Sequence, residues 1–411
     1  MRGYDKSESK SMEKFGANLD ELAREGACRM LKAALEQEVE EFLGRGYYVR
    51  QDTFIGYRNG YGKKRKVALG CGTVEIRTPR VRDNDKPFHS AVLRSYQRQS
   101  DGIKRLIPEL YLHGLATGDF ELAIRGLLGE GASLSAASVC RLKEQWASEY
   151  ESWRKRSLEG HSYVYLWCDG IYPKAGLAED KTALLVVLGV NEQGQKEALA
   201  IYEGYRESTE SWLAVLRDLK ARGLSAPRLF IGDGALGLWA AIREVYPQAG
   251  EQRCWVHKMR NVLNCFPRRL QGEVKTKLRE MYYAATRDQA IKLMKALAGD
   301  YGRDYPRGVE CLLKDQEQLL TYFGYPQAHW QSLKTTNPIE SIFSPVKLRT
   351  NAARRIKSPR SALYLIYALI IRAQKRWRKI NAPELINDVM AGVKFENGIK
   401  IKTKKHKKAA A

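Results

Sequence analysis

Apolar positions along the chain follow three successive patterns. From Met30 to Leu43, Leu31, Leu35, Val39 and Phe42 recur at helical spacing with acidic residues between them, and Gly44 and Gly46 end the run. Residues 47–88 turn basic and strand-like. Gly60-Tyr61-Gly62-Lys63-Lys64-Arg65-Lys66-Val67 leads into Gly70-Cys71-Gly72, and Thr73 to Arg77 alternate with period two until Pro79. This predicts a small basic β-hairpin. Helical spacing returns at Ile103. It predicts helices over 106–112 and 118–128, a turn at Gly129-Glu130-Gly131, and a longer helix capped near Ser133 that runs past Trp146 towards Ser157. The arrangement fits a helix-turn-helix, and equally any helical hairpin.

At Ser162 the pattern changes. Tyr163–Cys168, Thr182–Val190 and Lys196–Tyr202 read as three strands of a meander. Glu210–Leu219 is an amphipathic helix carrying Trp212, Leu213, Leu216 and Leu219. A fourth strand (228–231), a helix (238–245) stopped by Pro247 and a fifth strand (252–256) follow. This order predicts an α/β core with an RNase H-like sheet. Residues 258–335 carry helical spacing only, with helices expected over 262–270, 273–286, 287–297 and 309–320. Another helix starts in Thr335-Thr336-Asn337-Pro338-Ile339-Glu340-Ser341, with proline in its first turn, and a further one covers 361–377. The expected organisation is therefore a helical segment over 1–44, suited to dimerisation; a basic hairpin region, 45–102; and a helix-turn-helix-like region, 103–157. The RNase H-like core then runs over 158–257 and 336–380 around a helical stretch, 258–335, and a basic tail, 381–411, ends the chain, with 400–408 expected to be disordered.

Charge is segregated over this layout. The 411-residue chain carries +23, but residues 45–106 hold +10 and 341–411 hold +15, whereas 1–44 hold −3 and 107–340 only +1. Two basic flanks around a neutral centre suit a polyanion partner, because each phosphate neutralised releases counterions. The longest apolar run, 362–371, is far short of the roughly 20 residues of a membrane span. The opening Met1-Arg2-Gly3-Tyr4-Asp5 carries no apolar signal, and seven scattered cysteines, an odd number, suggest a reducing cytosol rather than a disulfide framework.

Asp169 and Asp233 each follow a predicted strand and precede glycine. Asp-Gly after a strand is a common turn. The ends of strands in an α/β sheet are also where ligands bind, and two adjacent carboxylates repel unless a cation lies between them. Oxygen-only ligands favour Mg²⁺, with Mn²⁺ as a substitute, and a pair of such ions suits in-line phosphoryl displacement. Glu340, at a helix start flanked by basic residues, is the natural third carboxylate. Cys254-x-x-His257 suggests half a zinc site, yet Cys265 and His329 fit no finger spacing, so no zinc is expected. His257, beside Lys258, Arg260 and Asn261, is instead expected to contact a phosphate. Lys63, Lys64, Arg65, Lys66, Lys347, Arg349, Arg354 and Arg355 are further expected contacts to DNA.

The segments Asp169-Gly-Ile-Tyr-Pro-Lys174, Gly232-Asp233-Gly234-Ala-Leu-Gly-Leu238, Gln252 to Asn261 and Thr335 to Ser341 occur in that order. With Pro79-Arg80-x-Arg82-Asp83 and Leu110-Tyr111-x-x-Gly114 upstream, the chain resembles the Mutator-type transposases of bacterial insertion sequences. The resemblance implies a DDE domain with an RNase H-like fold, interrupted by a helical insertion. It implies Asp169, Asp233 and Glu340 as the metal-binding triad, 64 and 107 residues apart. It also implies cleavage at element ends, transfer of the 3′-hydroxyl into target DNA, double-stranded DNA as partner, a homodimer that brings two ends together, and a cytoplasmic, nucleoid-associated location. A nuclease that cuts without joining, or an inactive DNA-binding regulator, are the alternative readings.

Overall fold

The computed structural model describes residues 19–49, 56–83, 86–112, 125–126, 128, 136–172, 182–205, 207–352 and 359–401. The chain divides into two compact units, Met1–Leu142 and Lys143–Ala411.

In the first unit, helix α1 (Leu19–Leu43) starts earlier than the apolar spacing predicts and buries Leu35, Val39 and Leu43. Strands β1 (Tyr57–Tyr61), β2 (Arg65–Leu69), β3 (Gly72–Ile76) and β4 (Pro79–Arg82) form two antiparallel pairs, β2 with β3 and β1 with β4. The period-two residues of the hairpin turn one side inward. Val67, Val74 and Ile76 meet Leu35 of α1 and Leu93 in a small core. Helix α2 (Asp101–Leu112) follows. The helix expected over 118–128 and its glycine turn lie almost wholly outside the described residues, so the helix-turn-helix is left as an expectation. Helix α3 (Ala136–Arg154) crosses the division between the units.

The second unit is built on a five-stranded sheet. Strands β5 (Tyr163–Ile171), β6 (Thr182–Asn191) and β7 (Lys196–Tyr205) form an antiparallel meander. Helix α4 (Thr209–Ala221) leads to β8 (Leu229–Gly232), and α5 (Leu236–Val245) to β9 (Gly250–Arg253). The order is β7-β6-β5-β8-β9, with β8 parallel to β5 and β9 parallel to β8. The unbroken apolar run of β6 reflects cover on both faces of the sheet. On one face Trp212, Val215, Leu216 and Leu219 of α4 and Leu238, Trp239 and Ile242 of α5 pack on Leu166, Cys168, Leu185, Val187 and Phe230. The alternate residues of β5 face the other way: Tyr165 hydrogen-bonds His329 at 2.8 Å, and Trp167 Nε1 donates to the Ser332 carbonyl at 3.2 Å.

After β9 the chain is helical through α6 (Trp255–Leu263), α7 (Arg268–Tyr282), α8 (Arg287–Tyr301), α9 (Pro306–Leu313), α10 (Gln316–Leu320) and α11 (Trp330–Leu333). Helices α12 (Asn337–Ala352), α13 (Pro359–Gln374) and α14 (Leu385–Met390) follow, then a short hairpin, β10 (Phe395–Glu396) and β11 (Ile399–Lys400). Gln374 of α13 accepts the Ala198 N–H of β7 at 2.9 Å, closing part of an open sheet edge. Among the described residues, no helix is long and apolar enough to cross a membrane.

Three details differ from the sequence expectation. The fifth strand stops at Arg253, because Cys254 becomes the N-cap of α6. The helix expected over 262–270 is broken, since Pro267 cannot donate within a helix and instead precedes α7. Within the expected basic tail, α14 and the β10–β11 hairpin are folded; Gly398 donates to the Phe323 carbonyl at 3.1 Å and accepts from Gln327 N–H at 3.2 Å. Residues 402–411 lie outside the described ones.

Trp212 is fully buried, yet its indole N–H has no partner among the described residues. Trp212→Ala should cost about 3–5 kcal/mol in chemical denaturation. Trp212→Phe should cost clearly less, because it also removes the unsatisfied donor.

Candidate active site

Strands β5 and β8 run parallel, with Cys168 opposite Gly232. The next residue on each is an aspartate, so Asp169 and Asp233 lie side by side at the carboxyl end of the sheet. Asp169 Oδ1 accepts the Gly170 N–H at 2.8 Å, and Asp233 Oδ1 accepts the Ala235 N–H at 2.9 Å at the opening of α5. Burial, then the charges of Asp233 and Glu207, push the Asp169 carboxyl up to about 7.

Glu207 is the residue that sequence reasoning missed. Its carboxylate oxygen lies within 4.8 Å of those of Asp169 and Asp233. Burial, then the Asp233 charge, raise it to about 7, and a hydrogen bond from Tyr172 partly offsets this. A signal was present. In a three-strand meander the third strand runs the same way as the first, so a carboxylate just after β7 returns to the edge that carries Asp169.

Glu340 lies in a second group. Its ligand oxygen, Cys254 Sγ and a His257 ring nitrogen lie within 4.8 Å of one another. Glu340 Oε1 accepts the Thr336 hydroxyl at 2.6 Å and is 3.7 Å from His257 Nδ1. Cys254 is fully buried and accepts from the Thr336 N–H at 3.3 Å. Burial alone would raise its thiol, but hydrogen bonds involving His257 and Thr336 together outweigh that and lower it. The hydrogen bond with Cys254 lifts His257 to about 9 against the cost of burial, and the charges of Cys254, Asp233 and Glu340 add to the rise. His257 also bears electrostatically on Asp169 and Glu207, so it faces both groups.

The two groups are held in register from below. The Trp255 N–H, at the start of α6, donates to the Lys334 carbonyl at 2.9 Å, two residues before Thr336. The Lys334 ammonium donates to the Tyr282 carbonyl at 2.7 Å and lies 4.6–5.3 Å from the ring centres of Tyr322, Tyr282 and Trp330. Burial lowers it to about 8, while three aromatic faces favour the charged form.

Of the expected DNA contacts, Arg260 and Asn261 are exposed on α6 and Lys347 on α12. Lys258 is a correction: its side chain is fully buried, and its ammonium is paired with Asp315, which Arg253 also meets at 2.7 Å. A helix turn that begins at Trp255 points it inward. In the first unit Lys63, Lys64 and Lys66 are exposed, with Lys64 3.5 Å from Glu75. Arg65 instead donates to the carbonyls of Leu93 at 3.0 Å and Arg94 at 3.3 Å. The Arg349 side chain and all of Arg354 and Arg355 lie outside the described residues.

Comparison with known proteins gives this geometry a lineage. The family model "Transposase, Mutator family" matches residues 2–380. The chain belongs to the Mutator family of transposases. Among relatives, the transposase of element IS6120 of Mycolicibacterium smegmatis is 46% identical over 296 residues, covering 72% of this chain and 92% of its own. The transposase of element IST2 of Acidithiobacillus ferrooxidans is 43% identical, covering 67% and 94%. That of element ISRM5 of Rhizobium meliloti is 31% identical, covering 87% and 89%. A chain of the Drosophila P element transposase strand transfer complex covers 70% of this chain and 84% of its own, but at a TM-score of 0.29 and 10% identity it is too distant to bear on the fold. The protein is thus a DNA transposase, an enzyme that cuts and joins DNA, and its family points to a divalent metal requirement.

Two predictions follow from the electrostatics of this transposase. The folded-state affinities of Asp169 and Glu207 for a proton are raised, so their stabilising effect is present below about pH 4 and is lost as pH rises through about 7. Metal-free Asp169→Asn should therefore gain thermal stability over wild type between pH 5 and 8, by roughly 2–8 °C. Thermal unfolding against pH measures it, and a constant difference across that range would show that Asp169 does not titrate there. Thr336→Val removes the hydroxyl that holds Glu340. It should slow DNA cleavage about 10- to 100-fold, corresponding to roughly 1.4–3 kcal/mol, with rescue by Thr336→Ser in a single-turnover assay.

Proposed function

We propose that this transposase works through an RNase H-like DDE domain in which Asp169, Asp233 and Glu340 hold divalent cations, Mg²⁺ with Mn²⁺ as substitute. The observation that carries the reading is the parallel register of β5 and β8, which sets Asp169 and Asp233 together at the sheet's carboxyl end. The sheet order β7-β6-β5-β8-β9 and the helical stretch between β9 and Glu340 support it. The donor set fits: carboxylate oxygens suit a hard divalent cation, and like charges held this close favour one.

When bound, such cations supply Lewis-acid charge that activates the attacking oxygen and steadies the leaving one. The chain's own residues do the rest. The Gly170 and Ala235 N–H groups fix the rotamers of the two aspartates. Thr336 holds Glu340, and the charged His257 ring faces both carboxylate groups, where it can meet a DNA phosphate. Arg260, Asn261 and Lys347, exposed in the same unit, and Lys63, Lys64 and Lys66 in the first unit, would bind the backbone; Lys258 is withdrawn from that role. No zinc is assigned to Cys254 and His257. Glu340 is needed by the triad, and the sulfur is already met by the Thr336 N–H. The first unit, net basic over 45–106, would bind element ends, and a homodimer would bring two ends together.

Asp169→Asn, Asp233→Asn and Glu340→Gln should each lower cleavage of labelled element-end DNA at least 10³-fold while changing end binding less than about threefold. The same assay distinguishes cutting with joining, cutting alone, and binding alone. Wild-type cleavage by any one variant would remove that residue from the triad.

A further inference from the structure

Two glycines let the segment around Glu207 approach the sheet edge closely. Gly170 follows Asp169 on β5, and a Cβ there would overlap Glu207 Oε1 and stand 2.7 Å from its Cδ. The Glu207 carboxylate therefore lies directly on the β5 backbone beside Asp169. Gly237, in the first turn of α5, makes the second approach: a Cβ there would fall 2.7 Å from Thr209 N and 2.8 Å from the Glu207 carbonyl oxygen. The segment leaving β7 thus rests on the helix that opens just after Asp233, whose carboxylate accepts the N–H of the N-cap residue Ala235. The segment after β7 thus approaches both β5, at Gly170, and the first turn of α5, at Gly237, closely.

The result is one carboxylate from each of three strand ends, with ligand oxygens within 4.8 Å of one another. Glu340 is not among them; it is engaged by Thr336 and His257. We infer that Glu207 is a further cation ligand of the transposase, so that Asp169, Asp233 and Glu207 hold one divalent cation of the Mg²⁺/Mn²⁺ class before Glu340 takes part. The inference rests on the reading of Asp169 and Asp233 as metal ligands given above. Three carboxylate oxygens converging from a rigid sheet edge match the hard-cation preference for oxygen donors. Glu340, on a helix that the chain reaches only after the whole helical stretch, would then join when a second cation or DNA arrives.

The test is Mn²⁺ binding to the full chain without DNA, followed by electron paramagnetic resonance of free Mn²⁺, alongside the Mg²⁺ dependence of cleavage. Glu207→Gln should weaken the first Mn²⁺ at least tenfold and move half-maximal cleavage to higher Mg²⁺. Glu340→Gln should keep that first Mn²⁺ within about twofold of wild type. Glu207→Asp keeps the charge but shortens the reach, so it should bind Mn²⁺ more weakly than wild type and more tightly than Glu207→Gln. Wild-type Mn²⁺ affinity in folded Glu207→Gln overturns the inference. If Asp169→Asn also binds Mn²⁺ as wild type does, the failure lies in the underlying metal-site reading instead.

Discussion

Like charges at the ends of neighbouring strands are the constraint around which the second unit is arranged. The parallel pairing of β5 and β8 sets Asp169 and Asp233 side by side, and the return of β7 adds Glu207. At about 5 Å and an effective dielectric near 20, each pair of full charges costs about 3–4 kcal/mol. The protein meets that cost with raised proton affinity at Asp169 and Glu207 and with a positively charged His257 facing them. An electrostatic conflict is thus built into this edge of the free protein. The side chains of α4 and α5 that cover one face pack on β5, β6 and β8, with Cys168, next to Asp169, among the residues they cover.

The helical stretch has a specific task in this arrangement. It takes the chain away from the sheet at Cys254 and returns it at Thr335, and the bond between Trp255 N–H and the Lys334 carbonyl closes the circuit. Cys254 and His257 on the outgoing side then meet Thr336 and Glu340 on the returning side. The caged Lys334 ammonium and the Lys258–Asp315–Arg253 cluster anchor that junction from within. Buried pairs of this kind are weak contributors to net stability but costly to break one partner at a time.

The Cys-x-x-His motif has a structural part in this arrangement. Cys254 is the N-cap of α6, where the first N–H groups of the helix favour a polarised sulfur. The sulfur and the Thr336 hydroxyl set the orientation of His257 and Glu340 relative to each other. The ring that results presents positive charge to the carboxylates. Family membership establishes that the enzyme acts as a transposase; the geometry accounts for why these residue types recur together in this chain.

The order of strands and helices in the second unit was legible from the sequence alone. The apolar run of β6, the amphipathic face of α4 and the Asp-Gly pairs after β5 and β8 are local patterns, and local patterns report periodicity directly. The aspartate pair could be inferred because adjacent parallel strands end at the same edge. Glu207 was missed because its own neighbourhood reads as an ordinary loop; the meander order pointed to the right edge, but only the folded return of β7, beside the bare backbones of Gly170 and Gly237, puts its carboxylate next to Asp169. Lys258 was misread for the converse reason. Basic neighbours suggest a surface, but helix α6 starts at Trp255, seven residues before the helix expected over 262–270, and turns that side chain onto Asp315. Spacing along a chain sets which face of an element a residue occupies, and tertiary packing alone decides whether that face meets solvent, a counter-charge or another strand's carboxylate.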